Sequence, residues 1–158
     1  MFSLLKKELV LFSPVFGKSI ALENVADKVF ACKMMGEGIG LINNSNKVYA
    51  PCNGYIVMIP ETKHAIGIKG MLNVEILIHI GLNTVELNGK GFKVHVKKGD
   101  KVKQGQLLIS YDNKIMNENK IDLTTVMVIP NSDSFNITFL KNNEGLNLES
   151  KLIKLTKK

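Results

Sequence analysis

The sequence predicts an all-β chain, an antiparallel β-sandwich or compact barrel with one or two short helices, and three observations carry that expectation. Its 13 glycines separate short apolar or alternating runs, as in strands joined by tight turns. Helical periodicity is scarce, and no low-complexity linker divides the chain. At 158 residues and 45% hydrophobic content, the chain can bury a sizeable core but is too short for two ordinary domains. A single domain over 1–158 is therefore expected, with 1–12 as a mobile N-terminal extension.

Taken in order, strands are expected over 15–20, 38–41, 47–50, 54–59, 65–68, 74–79, 92–96, 107–111, 125–129 and 135–140. Each is rich in apolar or β-branched residues and bounded by turn formers. The runs Asn43-Asn44-Ser45-Asn46 and Asn142-Asn143-Glu144-Gly145 read as turns. Between 96 and 108, Gly99-Asp100 and Gly105-Gln106 mark two tight turns, with Gly supplying positive φ and Asp bonding to nearby backbone. The best helical pattern starts at Asp112 as N-cap and runs through Ile115 and Met116 toward Ile121. Phe16, Phe92, Phe135 and Phe139 are expected to fill the core.

Composition excludes several functions. The net charge of +7 suggests nucleic acid, yet all 21 basic residues are Lys and the chain lacks Arg and Trp. It therefore has no guanidinium forks for phosphate or guanine, and its few aromatic residues sit mostly in apolar contexts. A solvated basic surface is the better account, with no nucleic-acid partner. No apolar run approaches the length needed to span a bilayer, and the N-terminus lacks a signal-peptide pattern, which places the protein in the cytoplasm. Cys32 and Cys52 lack metal-type spacing and are read as reduced thiols. Hydrolase and nucleotide-binding motifs are missing, and three histidines without clustered spacing imply no intrinsic metal.

His64 and His79 each lie inside a short apolar stretch, Thr62-Lys63-His64-Ala65-Ile66 and Ile76-Leu77-Ile78-His79-Ile80-Gly81. At a period of two, His79 shares a strand face with Glu75 and Leu77, opposite the three isoleucines, and Thr62, His64 and Ile66 share a face of a second strand. Such a pair is either a set of satisfied histidines or a nucleophile held neutral beside a supporting base. An imidazole with an unperturbed pKa near 6.5 is apt for covalent phosphoryl transfer when an apolar surround excludes water. His95 is read as a strand residue on a solvated or structural face, and Glu75 and Glu86 as surface charges or partner contacts.

Five segments in order carry a resemblance: Asp27-Lys28-Val29-Phe30-Ala31-Cys32-Lys33-Met34-Met35-Gly36, Ala50-Pro51-Cys52-Asn53-Gly54, Glu61-Thr62-Lys63-His64-Ala65-Ile66, Glu75-Ile76-Leu77-Ile78-His79-Ile80-Gly81-Leu82-Asn83-Thr84-Val85-Glu86-Leu87, and Gly89-Lys90-Gly91-Phe92. From Ser13 to Asn131 the chain resembles the glucose-type IIA component of the bacterial phosphoenolpyruvate sugar phosphotransferase system. The resemblance implies a phosphocarrier with an antiparallel β-sandwich. Such a carrier takes a phosphoryl group from phosphorylated HPr and passes it to the IIB domain of a sugar permease, through a transient phosphohistidine and without a cofactor. His79 matches the phosphoryl acceptor, His64 the second active-site histidine, Thr62 the hydroxyl beside it, and Gly81 the residue whose carbonyl orients the acceptor ring. Val29, Phe30, Met34, Met35, Leu77 and Asn83 match partner-binding positions. The same resemblance implies regulatory targets as further partners and membrane contact only through the permease. Zinc held by His64 and His79 would be adventitious.

This chain departs from the family pattern at Asn83, where Asp is common, at Lys28 and Pro60, and in its basic balance. Phe2, Leu5 and Leu9 could line one face of an N-terminal helix. The tandem turns over 96–108 also occur in biotinyl and lipoyl carrier domains. That alternative needs a modified lysine at a hairpin tip, to which Lys33-Met34-Met35 is the nearest approximation.

Overall fold

The computed structural model describes residues 7–140 and 144–158. Its strands are β1 (Glu8–Phe12), β2 (Gly17–Ala21), β3 (Glu37–Asn43), β4 (Lys47–Tyr49), β5 (Gly54–Met58), β6 (Ala65–Gly70), β7 (Glu75–Ile80), β8 (Phe92–Val94), β9 (Lys101–Val102), β10 (Leu107–Tyr111), β11 (Thr125–Ile129), β12 (Phe135–Phe139) and β13 (Lys151–Lys157). Two short helices, α1 (Lys28–Ala31) and α2 (Asn113–Glu118), join them.

The strands form three antiparallel sheets: a large one in the order β2-β3-β11-β7-β6-β5-β9, and two of three strands, β4-β10-β8 and β1-β13-β12. None closes on itself, so the sandwich reading holds and the barrel alternative falls away. The main core unites one face of the large sheet (Ile66, Ile68, Ile76, Ile78, Ile80) with Leu108 and Ile109 of β10 and Leu152, Ile153 and Leu155 of β13. A second cluster covers the outer face, where Leu22, Val25, Phe30 and Leu82 pack on Val126 and Val128. Inner strand β11 is thus buried on both faces, as the apolar run over 126–129 requires. Strand β7 alternates instead, with Ile76, Ile78 and Ile80 in the main core and Leu77 and His79 turned to the outer face.

The turns follow their side chains. Asp100 accepts from the Lys97 backbone N–H at 2.9 Å, and Gly99 and Gly105 have φ of +94° and +85°. Asp112 caps α2 by accepting from the N–H groups of Lys114 and Ile115, and the helix ends at Glu118, before reaching Ile121.

Several expectations need correction. Residues 8–12 are strand β1, paired along β13 with Leu9 and Leu11 buried, rather than a loose extension or a helical face. Phe2 and Leu5 lie outside the described residues. Phe92 and Phe135 do fill the core, but Phe139 ends an edge strand pointing outward, and Phe16 packs edge-on against Tyr49 at the surface. The two-residue β9, the Lys-rich β13 and the four-residue α1 were not expected. None is long or regular enough in hydrophobicity to show a period.

Candidate functional site

The outer face of the large sheet carries His79, with Ala65 of β6 beside it on one flank and Val126 of β11 on the other. His64 stands just before β6, and its carbonyl accepts from the Ile80 N–H at 2.7 Å, extending the β6-β7 ladder by one bond. The two imidazoles meet edge to face, with ring centroids 4.7 Å apart and planes at 80°. Phe30 also packs against His79, its ring tilted at 58° with centroids 5.0 Å apart.

Thr62 and His64 do not lie on a strand. A turn precedes β6: the Lys63 N–H bonds to the Pro60 carbonyl at 2.9 Å, and Lys63 adopts a left-handed φ of +59°. That turn, rather than strand parity, brings the Thr62 hydroxyl to Nδ1 of His64 at 2.7 Å. Ile66 points the other way, into the main core.

The environment disfavours the charged form of both rings. Burial, reinforced by the neighbouring His64, lowers the His79 pKa to about 4, against the opposing pull of the Gly81 backbone and the Asp27 carboxylate. Burial also lowers His64, partly offset by the Thr62 backbone. Nδ1 of His79 is buried without a hydrogen bond. The Gly81 backbone lies near enough to raise the pKa of the ring, without a hydrogen bond of full geometry to that atom. With Nδ1 turned inward, Nε2 is the nitrogen left for chemistry.

Two residues frame this arrangement without having been assigned a part in it. Asp27 caps α1 by accepting from Val29 N–H at 2.9 Å and Phe30 N–H at 3.4 Å, which fixes the helix that carries Phe30. Its type and its place one residue before the helix are an N-cap signal readable in the sequence. Thr84 is wholly buried and donates its hydroxyl to the Ile80 carbonyl at 2.6 Å. Asn83 is exposed at a left-handed φ of +60°, a conformation that Asn tolerates well.

The apolar surround differs in part from expectation. Val29, Met34 and Met35 are exposed, Met34 at 74%, and Leu77 is half-buried. Phe30 is only 6% exposed and packs against His79 as a wall of the site. A bulge between Ile56 and Met58 turns both Val57 and Met58 outward. With Met35, Leu77 and Pro130 they line a groove of about 400 Å³ over Gly67. Sequence alternation alone assigns one of that pair to the core, which is why these two were missed.

Residues 9–135 match the sequence profile of the phosphoenolpyruvate-dependent sugar phosphotransferase system, EIIA 1. The chain belongs to that family. It is similar to a PTS system glucose-specific EIIA component of Oceanobacillus iheyensis, 44% identical over 136 residues that cover 86% of this chain and 81% of that protein. In fold it is similar to the glucose permease IIA of Mycoplasma capricolum, with a TM-score of 0.88, 31% identity and coverage of 98% of this chain and 99% of that one.

Other groups of this EIIA protein stand apart from the histidine pair. Lys33 is not on a hairpin tip, as a biotinyl or lipoyl carrier would need; its amine is held by Glu23 at 3.2 Å and Glu37 at 3.3 Å. His95 lies just beyond β8 on the exposed surface, with Nε2 2.8 Å from Ser110 Oγ. Glu75 and Glu86 are exposed. Both cysteines are free, and burial pushes the Cys52 thiol up to about 12. Among the described residues, no group of three or more His, Cys, Asp or Glu side chains could hold a metal, and no helix is long and apolar enough to cross a membrane.

Proposed function

We propose that this EIIA protein is a cytoplasmic phosphocarrier that accepts a phosphoryl group from phosphorylated HPr on Nε2 of His79 and passes it to the IIB domain of a sugar permease. The observation that carries the reading is the edge-to-face contact of His64 and His79 in an apolar surround. The His79 lone pair attacks phosphorus, a P–N bond forms as the bond to the donor breaks, and the electron pair leaves with the donor. The second transfer reverses these roles, with IIB as acceptor. A low His79 pKa keeps the ring neutral and nucleophilic at physiological pH, and Phe30 packed against it limits competing water.

His64 supports the transferred group. The Thr62 hydroxyl lies 2.7 Å from Nδ1; in the tautomer to which it donates there, the proton on Nε2 of His64 is free to donate to a phosphoryl oxygen, the charge stabilisation on which such transfer rests. The Gly81 carbonyl, which acts on the His79 ring without a full hydrogen bond to Nδ1, biases it toward the tautomer whose Nε2 lone pair is free. The chain has no Arg, so any guanidinium clamp comes from the partner. Exposed methionines suit a surface that meets two different partners in turn. The phosphohistidine is transient and no cofactor takes part.

The test combines phosphoenolpyruvate, Enzyme I and HPr with this protein and measures acid-labile phosphate. Wild type is labelled and His79→Gln is not; labelling of the variant overturns the assignment. In His64→Gln, delivery to IIB falls more than acceptance from HPr, and equal losses would make His64 merely structural.

A further inference from the structure

One buried hydroxyl has no part in the mechanism above, yet it bonds the residue that follows His79 and whose N–H is tied to His64. Thr84 is 0% exposed, and its Oγ1 donates to the Ile80 carbonyl at 2.6 Å. The N–H of the same Ile80 donates to the His64 carbonyl at 2.7 Å. Ile80 follows His79 directly and is bonded to Gly81, whose φ is +73°. A Cβ at Gly81 would stand 2.6 Å from Thr84 Cγ2, so the threonine methyl and the glycine fit face to face. The Gly81 N–H is taken by the Thr124 carbonyl at 3.1 Å, and the Leu82 N–H by the Asp122 carbonyl at 2.8 Å.

The peptide between Ile80 and Gly81 is therefore held at its carbonyl by Thr84 and at its N–H by Thr124. With that peptide fixed, the direction of the next carbonyl, that of Gly81, depends on few remaining torsions. It is this carbonyl that acts on the buried side of the His79 ring. We propose that Thr84 is a positioning residue: its hydroxyl locks the turn after β7 and thereby the single His79 tautomer with Nδ1 protonated and Nε2 free. A buried threonine whose only role was packing would be replaceable by valine, which has the same shape. Thr84 offers more, because a carbonyl deprived of its donor in this turn can swing, and the Gly81 carbonyl swings with it. The proposal rests on the phosphocarrier reading for its consequence, although not for its geometry.

The test compares Thr84→Val, which keeps the shape and removes the donor, with Thr84→Ser, which keeps the donor. Imidazole nitrogen shifts of unphosphorylated protein at pH 7 report the tautomer, and amide spectra report the fold. Wild type and T84S show one His79 tautomer, protonated at Nδ1. A folded T84V shows both, and its labelling by phosphorylated HPr is about tenfold slower, as expected for a misplaced nucleophile. A folded T84V with the wild-type tautomer and rate overturns the proposal. Should T84V fail to fold, T84S decides: a single tautomer supports the hydroxyl as the determinant, and a mixed one overturns it. Because the tautomer is read without phosphorylation, failure of wild type to accept phosphate counts against the phosphocarrier reading alone.

Discussion

The imidazoles of His64 and His79 meet edge to face with centroids 4.7 Å apart because the ladder between β6 and β7 sets Ala65 opposite His79 and extends one bond further, from Ile80 N–H to the His64 carbonyl. Neither ring is placed by its own contacts alone. The register of two strands aligns the backbone, and the turn at Lys63 rotates His64 away from the parity of β6 toward its partner.

The pairing sets a pH dependence. His79 falls from 6.5 to about 4 on folding, with burial as the first cause. The unfolded chain then binds a proton that the folded one refuses, so stability from this group is present above pH 6.5 and is lost as pH falls toward 4. The loss is up to about 3 kcal/mol. Urea titrations of wild type and His79→Gln from pH 8 to pH 4 should diverge in that window; parallel curves would contradict a depressed pKa.

Phosphorylation should reverse the electrostatics of the neighbour. A phosphoryl dianion on His79 favours the charged form of His64, opposing the burial that lowers its pKa in the free protein. Carbon-proton spectra of the His64 ring, recorded across pH with and without continuous phosphorylation, should show the midpoint move upward. A midpoint that stays put would place His64 out of reach of the phosphate.

Thr62→Val removes the partner of a buried ring nitrogen while keeping the side-chain shape. The unpaired Nδ1 of His64 should cost about 1 to 3 kcal/mol of stability. Delivery to IIB should drop by about tenfold, since the proton on His64 is no longer confined to Nε2. Chemical denaturation and single-turnover transfer measure the two effects separately.

At Gly81 the expected effect is larger. Alanine there meets both a φ of +73° and a Cβ contact of 2.6 Å with Thr84. Gly81→Ala should lose about 2 to 4 kcal/mol, combining backbone strain with overpacking. Gly99→Ala shares the positive φ but has nothing within 4 Å of the new Cβ, so its smaller loss on the same denaturation assay isolates the packing share.

The groove beside Leu77 makes a kinetic prediction. Met58→Glu places a charge on an exposed apolar wall without touching either histidine. The KM for phosphorylated HPr should rise by about tenfold with kcat little changed, as expected when a docking contact is lost and the reacting centre is intact. A fall in kcat at constant KM would place the groove outside the docking surface.

Much of this protein was determined by its sequence alone. Alternation around His79, the glycine-punctuated strands and the Asp112 cap are local patterns, and each is set by the period of the backbone or by a side chain bonding to its neighbours. The ordered motifs around His64, His79 and Gly81 were enough to mark the family. What only the tertiary structure decided is less local. Parity placed Thr62, His64 and Ile66 on one face, whereas a left-handed Lys63 separates the first two from the strand. Alternation could not foresee the bulge that turns both Val57 and Met58 outward, because it depends on the partner strand. Phe30 reads as a surface contact until the second cluster buries it beneath the site. The hydroxyl of Thr84 gains its meaning only when the chain turns back after β7 and brings the Ile80 carbonyl to it. Periodicity records which side of a strand a residue faces; what waits on that side is set by chain segments remote in sequence.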